Sequence, residues 1–140
     1  MNRSRYIVWL ALMGYGLALD VTFRYVETPN DDFVRVFVPG SMNDWGPNSD
    51  GVISPDAESQ MVFNEETGCY ERTYDLSLGE EYIYKIHFHY NNSGTNYEWT
   101  PDPLNSNMTN DGWNNSILNV TDPLFFQPAR HLSDNDEVVG

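Results

Sequence analysis

The stretch that most constrains the fold is residues 81–90, which alternates aromatic or apolar side chains with other residues at a period of two. This period belongs to a β-strand, because a helix repeats every 3.6 residues. The sequence EYIYKIHFHY predicts one strand face that packs in a core and one that meets solvent, with Lys85 and His87 accessible. The expected core face carries Tyr82, Tyr84, Ile86, Phe88 and Tyr90.

Similar segments recur along the chain, rich in β-branched and aromatic residues and separated by clusters of Pro, Gly, Asn and Asp. They are residues 21–26, 33–38 and 69–76, with shorter ones at 61–63, 97–99 and 116–120. No amphipathic helical period of useful length accompanies them. The pattern predicts an all-β fold, an immunoglobulin-like (early-set) antiparallel β-sandwich of about seven strands.

A hairpin is expected after residue 90. If residues 91–95 form its loop, Tyr90 pairs with Asn96, and Trp99 lies across from His87 on the Lys85 face. A slip of one residue would bury Trp99 instead.

The N-terminus has the layout of a secretory signal peptide. The first 19 residues lack Asp and Glu, begin with Arg3 and Arg5, and contain an apolar run that ends in small residues. The run spans about 14 residues, against about 20 for a membrane-spanning helix. We therefore expect residues 1–18 to be a cleaved signal and the protein to be secreted or periplasmic, with an uncleaved signal anchor as the alternative.

The remaining chain divides into two parts by composition. Residues 20–121 hold every expected strand and form one domain. Residues 122–140 carry two prolines, a Phe125-Phe126 pair and an acidic end. They are interpreted as a linker or as the start of a following region, and we expect the chain to be the front end of a longer protein.

Charge and cysteine content exclude some classes of partner. The net charge is −14, and such a chain repels phosphate backbones and anionic lipid, so neither nucleic acid nor a membrane surface is expected as a partner. The lone Cys69 cannot form an internal disulfide and is expected to lie half-buried.

No catalytic signature is present, whether a Gly-x-Ser-x-Gly elbow, a phosphate-cradling glycine loop or a His-Glu-x-x-His helix. His87 and His89 have a spacing that could share a metal ion, but a third ligand is not apparent. We expect no catalysis by this segment, no metal and no cofactor.

Three tryptophans lie in or beside polar loop segments, where an apolar ring is costly unless it packs or binds something. Each alone could fold back onto the core. Sugars present C–H patches on their ring faces and hydroxyls at their rims, which suit flat aromatic rings together with amide and ammonium donors. The candidate carbohydrate-binding residues are Trp45, Lys85, Trp99, Trp113, Asn107, Asn114 and Asn115.

Four motifs carry a resemblance to a known family. PGSMNDW, YIYKIHF, YEWTPDPLN and DGWNNSILNV occur in this order between residues 39 and 120. Residues 20–121 resemble carbohydrate-binding module family 48, the glycogen-binding domain of AMP-activated protein kinase β subunits and of isoamylases and branching enzymes. Met42 replaces a phenylalanine of the family pattern, and Ile86 replaces another.

The resemblance implies specific roles. Trp45 and Trp99 would stack on glucose rings, Lys85 would hydrogen-bond sugar hydroxyls, and Asn115 or its neighbour Asn114 would do likewise. Trp113 lies in a loop that differs from the family pattern and is a further candidate contact.

These observations predict a non-catalytic α-glucan (starch or glycogen) binding module of a secreted, α-amylase-type glycoside hydrolase of family 13. Its partners would be an α-1,4-glucan and a catalytic domain on the C-terminal side. The alternative is a structural domain that packs on a neighbouring catalytic domain without binding sugar. Exposure of Trp45 and Trp99 beside Lys85 would favour binding, and burial of either ring would favour packing.

Overall fold

The chain forms an all-β fold, as predicted. The structure, a computed structural model, describes residues 16–29 and 31–121. The predicted signal segment up to residue 15 and the predicted linker at 122–140 lie outside the described residues. The strands are β1 (Ala18–Tyr25), β2 (Arg35–Phe37), β3 (Asn48–Ser49), β4 (Val52–Ile53), β5 (Val62–Asn64), β6 (Cys69–Ser77), β7 (Glu81–Tyr84), β8 (Ile86–His89), β9 (Tyr97–Thr100) and β10 (Ser116–Asn119), with a short 3₁₀ helix at Ser41–Asn43.

The strands build a sandwich of two antiparallel layers. One layer has the order β1-β6-β5, and the other contains β2-β8-β9 together with the pair β10-β7. Strands β7 and β8 follow each other with only Lys85 between them, and the Lys85 N–H donates to the Pro39 carbonyl at 2.9 Å. A bridge between Gly40 and Tyr84 also links β7 to the end of the β2 segment. The small hairpin β3-β4, which the sequence reading did not include, forms a separate pair.

The core lies between the two layers and is strongly aromatic. Phe23 of β1 meets Tyr84 edge to face at 5.1 Å between ring centroids, and Tyr25 meets Phe88 at 5.3 Å. The expected burial of Tyr84, Ile86 and Phe88 is confirmed. Tyr82 and Tyr90, at the ends of the same row, are half-buried and packed against the core.

The expected accessibility of His87 is wrong. His87 and His89 are both fully buried, and Lys85 is half-buried. The reason is that a second set of side chains covers the outer face of β8. The Phe37 ring is 4.6 Å from that of His89, and the Trp99 ring is 4.5 Å from that of His87.

The register of the β8-β9 hairpin is confirmed. His87 pairs with Trp99, and the Tyr90 N–H donates to the Asn96 carbonyl at 2.8 Å. The Asn91 side-chain oxygen closes the loop by accepting from the backbone N–H groups of Thr95 and Asn96. This register places Trp99 on the outer face of the sheet.

Strand β1 begins slightly before the expected start of the domain at residue 20. Ala18 pairs with Ser77, and the Leu17 carbonyl accepts from the Leu78 N–H at 2.8 Å. Pairing with the long strand β6 therefore extends the ordered β-structure into the end of the segment predicted to be a signal.

Cys69 is half-buried and free, which confirms the expected environment of this thiol. Among the described residues, no helix has both the length and the apolar character that crossing a bilayer would require.

Replacing Phe88 by Ala should lower the free energy of unfolding by about 3–5 kcal/mol, because the cavity left between Tyr25 and Phe33 cannot fully close. Urea denaturation followed by circular dichroism measures this loss. The control is Phe63→Ala, whose ring is 47% exposed and whose loss should cost less than about 1 kcal/mol. Equal losses in the two variants would contradict the assignment of Phe88 to the core.

The buried histidine predicts a loss of stability in mild acid. Burial, and then the neighbouring His89, lower the pKa of His87 from 6.5 to about 3. Below pH 6.5 the unfolded chain therefore binds a proton that the folded chain does not bind. The stability that is present above pH 6.5 is lost as the pH falls. Between pH 7.5 and 5.0 this one group should cost about 2 kcal/mol.

Urea denaturation at several pH values checks the expectation, and His87→Phe should flatten the profile because a phenyl ring does not titrate. A free energy of unfolding that stays level from pH 7.5 to 5.0 in the wild-type protein would contradict it.

Candidate functional site

The loop after β2 is built around the buried side chain of Asn43. Its Nδ2 donates to the Val38 carbonyl and to the Tyr74 hydroxyl, each at 2.8 Å. Its Oδ1 accepts from the backbone N–H groups of Gly40 at 2.9 Å and Gly46 at 3.1 Å. Since all four hydrogen-bonding positions of the amide are used, the loop is tied to both layers of the sandwich.

Trp45 emerges from this loop in an unusual backbone conformation. Its φ angle is 58°, in the left-handed region, and the preceding Asp44 has a φ of 53°. A bulky residue in this region costs about 1–3 kcal/mol, and such residues concentrate at binding and catalytic sites. The Trp45 N–H donates to the Gly40 carbonyl at 2.9 Å, and the residue is half-buried. The loop therefore holds the indole in one place instead of burying it in the core.

The hairpin β3-β4 adds a second wall. Its turn residues Asp50 and Gly51 have φ angles of 52° and 84°, the two positive values that a type I′ turn requires. The Gly51 carbonyl accepts from the Trp99 indole Nε1–H at 2.8 Å. An Asp-Gly pair is a hairpin signal in sequence, so this element could have been found before the structure.

Strand β9 contributes two aromatic rings on one face. Trp99 is half-buried and packs on His87, and the Tyr97 ring lies 5.4 Å from the same imidazole. Both ring nitrogens of His87 are buried without a hydrogen-bond partner among the described residues. Its lowered pKa keeps it uncharged at neutral pH, so the two rings pack on a neutral imidazole.

Lys85 is the only lysine of the chain. It lies between β7 and β8, where its backbone N–H bonds to Pro39 of the β2 end. Within the described part of the chain, its ammonium group forms no ion pair with a carboxylate. No described group accepts a hydrogen bond from this ammonium either, so within the described residues its donors are available to a ligand.

The segment leading to β10 is anchored by Asp102, which follows β9. The Asp102 carboxylate accepts from the buried Tyr84 hydroxyl at 2.7 Å, and its backbone N–H donates to the Ser116 hydroxyl at 2.8 Å. Burial, and then the Asp102 charge, raise the pKa of Tyr84 well above its usual range. These bonds fix Asn115, which directly precedes β10.

These elements meet around one cavity of about 660 Å³. We call it the tryptophan cavity, and it is lined by Trp45, Asn48, Gly51, Lys85, Tyr97, Trp99, Trp113 and Asn115. The structure thus brings together five of the seven candidate residues. Asn107 and Asn114 are exposed and do not line the cavity, and Asn114 has a φ of 52°.

Three lining residues were missed by the sequence reading. Asn48 and Gly51 belong to the overlooked hairpin. Tyr97 lies two residues before Trp99 on the same strand face, so the period of two could have indicated it. Its side chain is 37% exposed.

The chemistry of the tryptophan cavity is that of flat rings and neutral or cationic donors. Four lining residues are aromatic, and among the described residues the lining contains no Asp or Glu. No three His, Cys, Asp or Glu side chains of the described segments come together in a way that could hold a metal ion. Such a surface suits an uncharged ligand with flat apolar faces and a polar rim.

Comparisons of the chain with models of protein families, with curated proteins and with solved structures returned no match.

Proposed function

We propose that this domain is a non-catalytic module that binds α-glucan chains, such as starch or glycogen, in the tryptophan cavity. The observation that carries the proposal is the convergence of Trp45, Trp99, Trp113 and Lys85, from four separate parts of the chain, on one concave surface. A curved α-glucan chain offers the alternation of ring faces and hydroxyl rims that this surface complements.

Trp99 and Trp113 differ in what they can offer a ligand. The Trp99 indole N–H is already bonded to Gly51, so this residue offers a ligand its ring face and no donor. Trp113 is 73% exposed and is the most open of the cavity rings. On this proposal Trp113 would contact the sugar from the more open side, and Trp99 would offer it a ring face.

Polar recognition falls to Lys85 and Asn115. The Asn115 side-chain amide forms no hydrogen bond with a described residue, although its backbone N–H donates to Thr109 Oγ1 at 3.0 Å. An amide and an ammonium group both hydrogen-bond vicinal hydroxyls. Because neither donor is paired with a carboxylate of the described residues, binding a sugar breaks no ion pair among them.

Binding is favoured over hydrolysis by the lining of the cavity. Glycoside hydrolysis commonly uses two carboxyl groups separated by about 5–9.5 Å on either side of the scissile bond. The chain is acidic, yet no carboxylate of the described residues lines the cavity. The proposal is therefore one of recognition, with catalysis left to another domain.

The resemblance of the four motifs to carbohydrate-binding module family 48 supports the same function. On this proposal the module is exported, and it serves a starch-active, α-amylase-type hydrolase whose catalytic domain lies on its C-terminal side. The glucan would be held near that catalytic domain.

A structural role without sugar is the second candidate. Trp45 and Trp99 are half-buried, which lies between the exposure expected of sugar-binding rings and the burial expected of packing residues. On the other layer, edge strand β5 exposes 65% of Val62 and 47% of Phe63. This apolar pair would suit contact with a neighbouring domain, and a wild-type protein that fails to bind glucan would favour this role.

The tryptophan variants test the proposal. Because each ring is open to water on one side, we expect a Kd for maltoheptaose from roughly millimolar to tens of micromolar. Trp113→Ala and Trp45→Ala should each weaken binding by about 1–3 kcal/mol. The melting temperature of Trp113→Ala should stay at the wild-type value, because its ring is largely exposed.

Isothermal titration with maltoheptaose and pull-down on insoluble starch measure the loss. Phe63→Ala removes an exposed ring outside the cavity and is the matched control, and cellulose is the control polysaccharide. Unchanged affinity in both tryptophan variants would refute glucan binding in this cavity.

Lys85→Met separates the donor from the aliphatic stem. The thioether keeps most of the stem's apolar contacts but donates no hydrogen bond, so the affinity should fall about three- to tenfold.

The affinity of the wild-type protein should be nearly independent of salt concentration between about 50 and 500 mM, because the ligand is neutral. A charged ligand would respond strongly over this range. Titration at both salt concentrations checks this, and a steep salt dependence would indicate an anionic ligand instead.

A further inference from the structure

A continuous hydrogen-bond path joins Trp45 to Trp99 through the hairpin β3-β4. The Asn48 Nδ2 donates to the Trp45 carbonyl at 2.9 Å, and the Asn48 Oδ1 accepts from the Gly51 N–H at 3.0 Å. The carbonyl of the same Gly51 accepts from the Trp99 Nε1–H at 2.8 Å. Residues far apart in sequence are thus connected by one side chain and one glycine.

We propose that Asn48 is a positioning residue that fixes Trp45 and Trp99 relative to each other, so that the two rings act as one preformed surface for a glucan chain. The inference rests on the proposed glucan-binding function. Asn48 and Gly51 also line the tryptophan cavity, so the path runs along its wall.

The residue type at position 48 fits this role. A side-chain amide offers a donor and an acceptor from one short planar group, and here each is used toward a different wall. Aspartate could still accept from Gly51 but could not donate to the Trp45 carbonyl. Gly51 in turn has a φ of 84°, which favours glycine, so the carbonyl that receives the indole depends on this turn.

The hairpin that carries the path is itself anchored. Asn48 pairs with Ile53, which is fully buried, and a side chain added at Gly46 would meet the Ile53 side chain at 3.1 Å. The hairpin β3-β4 is therefore anchored through Ile53, while Asn48 sets the positions of Trp45 and Trp99 relative to it. Preformed orientation reduces the entropy that a weak, one-sided binding surface must spend on ordering its rings.

The test compares Asn48→Ala, Asn48→Asp and the control Asn64→Ala in the full chain. Asn64 is the last residue of β5 in the opposite layer. Its Oδ1 accepts from the Glu66 N–H at 2.9 Å, and its Nδ2 donates to Glu71 Oε2 at 3.0 Å. Two quantities are measured: the affinity for maltoheptaose, and the solvent exchange rate of the Trp99 indole N–H by ¹⁵N NMR without sugar. A residue that only stabilised the fold would change the melting temperature without selectively changing this indole.

Asn48→Ala should weaken binding about three- to tenfold and speed indole exchange of Trp99 at least about tenfold. Asn48→Asp should keep the exchange rate close to that of the wild type, because the Gly51 bond survives, yet weaken binding through Trp45. Asn64→Ala should change neither. If Asn48→Ala does not fold, Asn48→Val, which also lacks both hydrogen-bonding groups, replaces it with the same expectations.

An exchange rate of Trp99 that Asn48→Ala leaves unchanged would overturn the inference, as would an unchanged affinity. A wild-type protein that binds no maltoheptaose would instead refute the glucan function, and the exchange rates would then decide alone whether Asn48 holds the ring.

Discussion

Strand β8 is buried on both of its faces, and this constraint organises the whole domain. One face contributes Ile86 and Phe88 to the aromatic core between the layers. The other face contributes His87 and His89, on which Phe37 and Trp99 rest. A strand of this kind supports a ring of the tryptophan cavity as well as forming a wall of the core, so the position of Trp99 depends on the same strand that holds the sandwich together.

Because β8 is buried on both faces, a charged imidazolium on it would be costly, and both histidines are neutral instead. Burial lowers the pKa of both histidines. The neighbouring His89 adds to this effect at His87, and the charge of Arg35 adds to it at His89. A neutral imidazole offers an indole a flat, uncharged ring face. The same arrangement makes the support under Trp99 sensitive to acid, because a proton on either ring would be a charge in a dry site.

Polar side chains hold the loops around the cavity through hydrogen bonds to backbone groups. Asn43 holds the Trp45 loop, Asp102 holds the segment before β10, and Asn48 links the hairpin to Trp45. Loops supported in this way can present aromatic rings without burying them. The left-handed backbone of Trp45 is then a strained conformation that its surroundings enforce.

The sequence by itself determined the all-β class, most of the strands and the register of the β8-β9 hairpin, because a period of two and turn residues act locally. It also indicated Trp45, Lys85, Trp99, Trp113 and Asn115, since aromatic rings in polar loops need a reason. The tertiary structure alone decided that His87 is buried, that Asn115 and not Asn114 faces the cavity, and that Asn48 joins two tryptophans. These outcomes depend on which distant segment covers a given face, and alternation along one strand assigns side chains to faces without saying what lies against them.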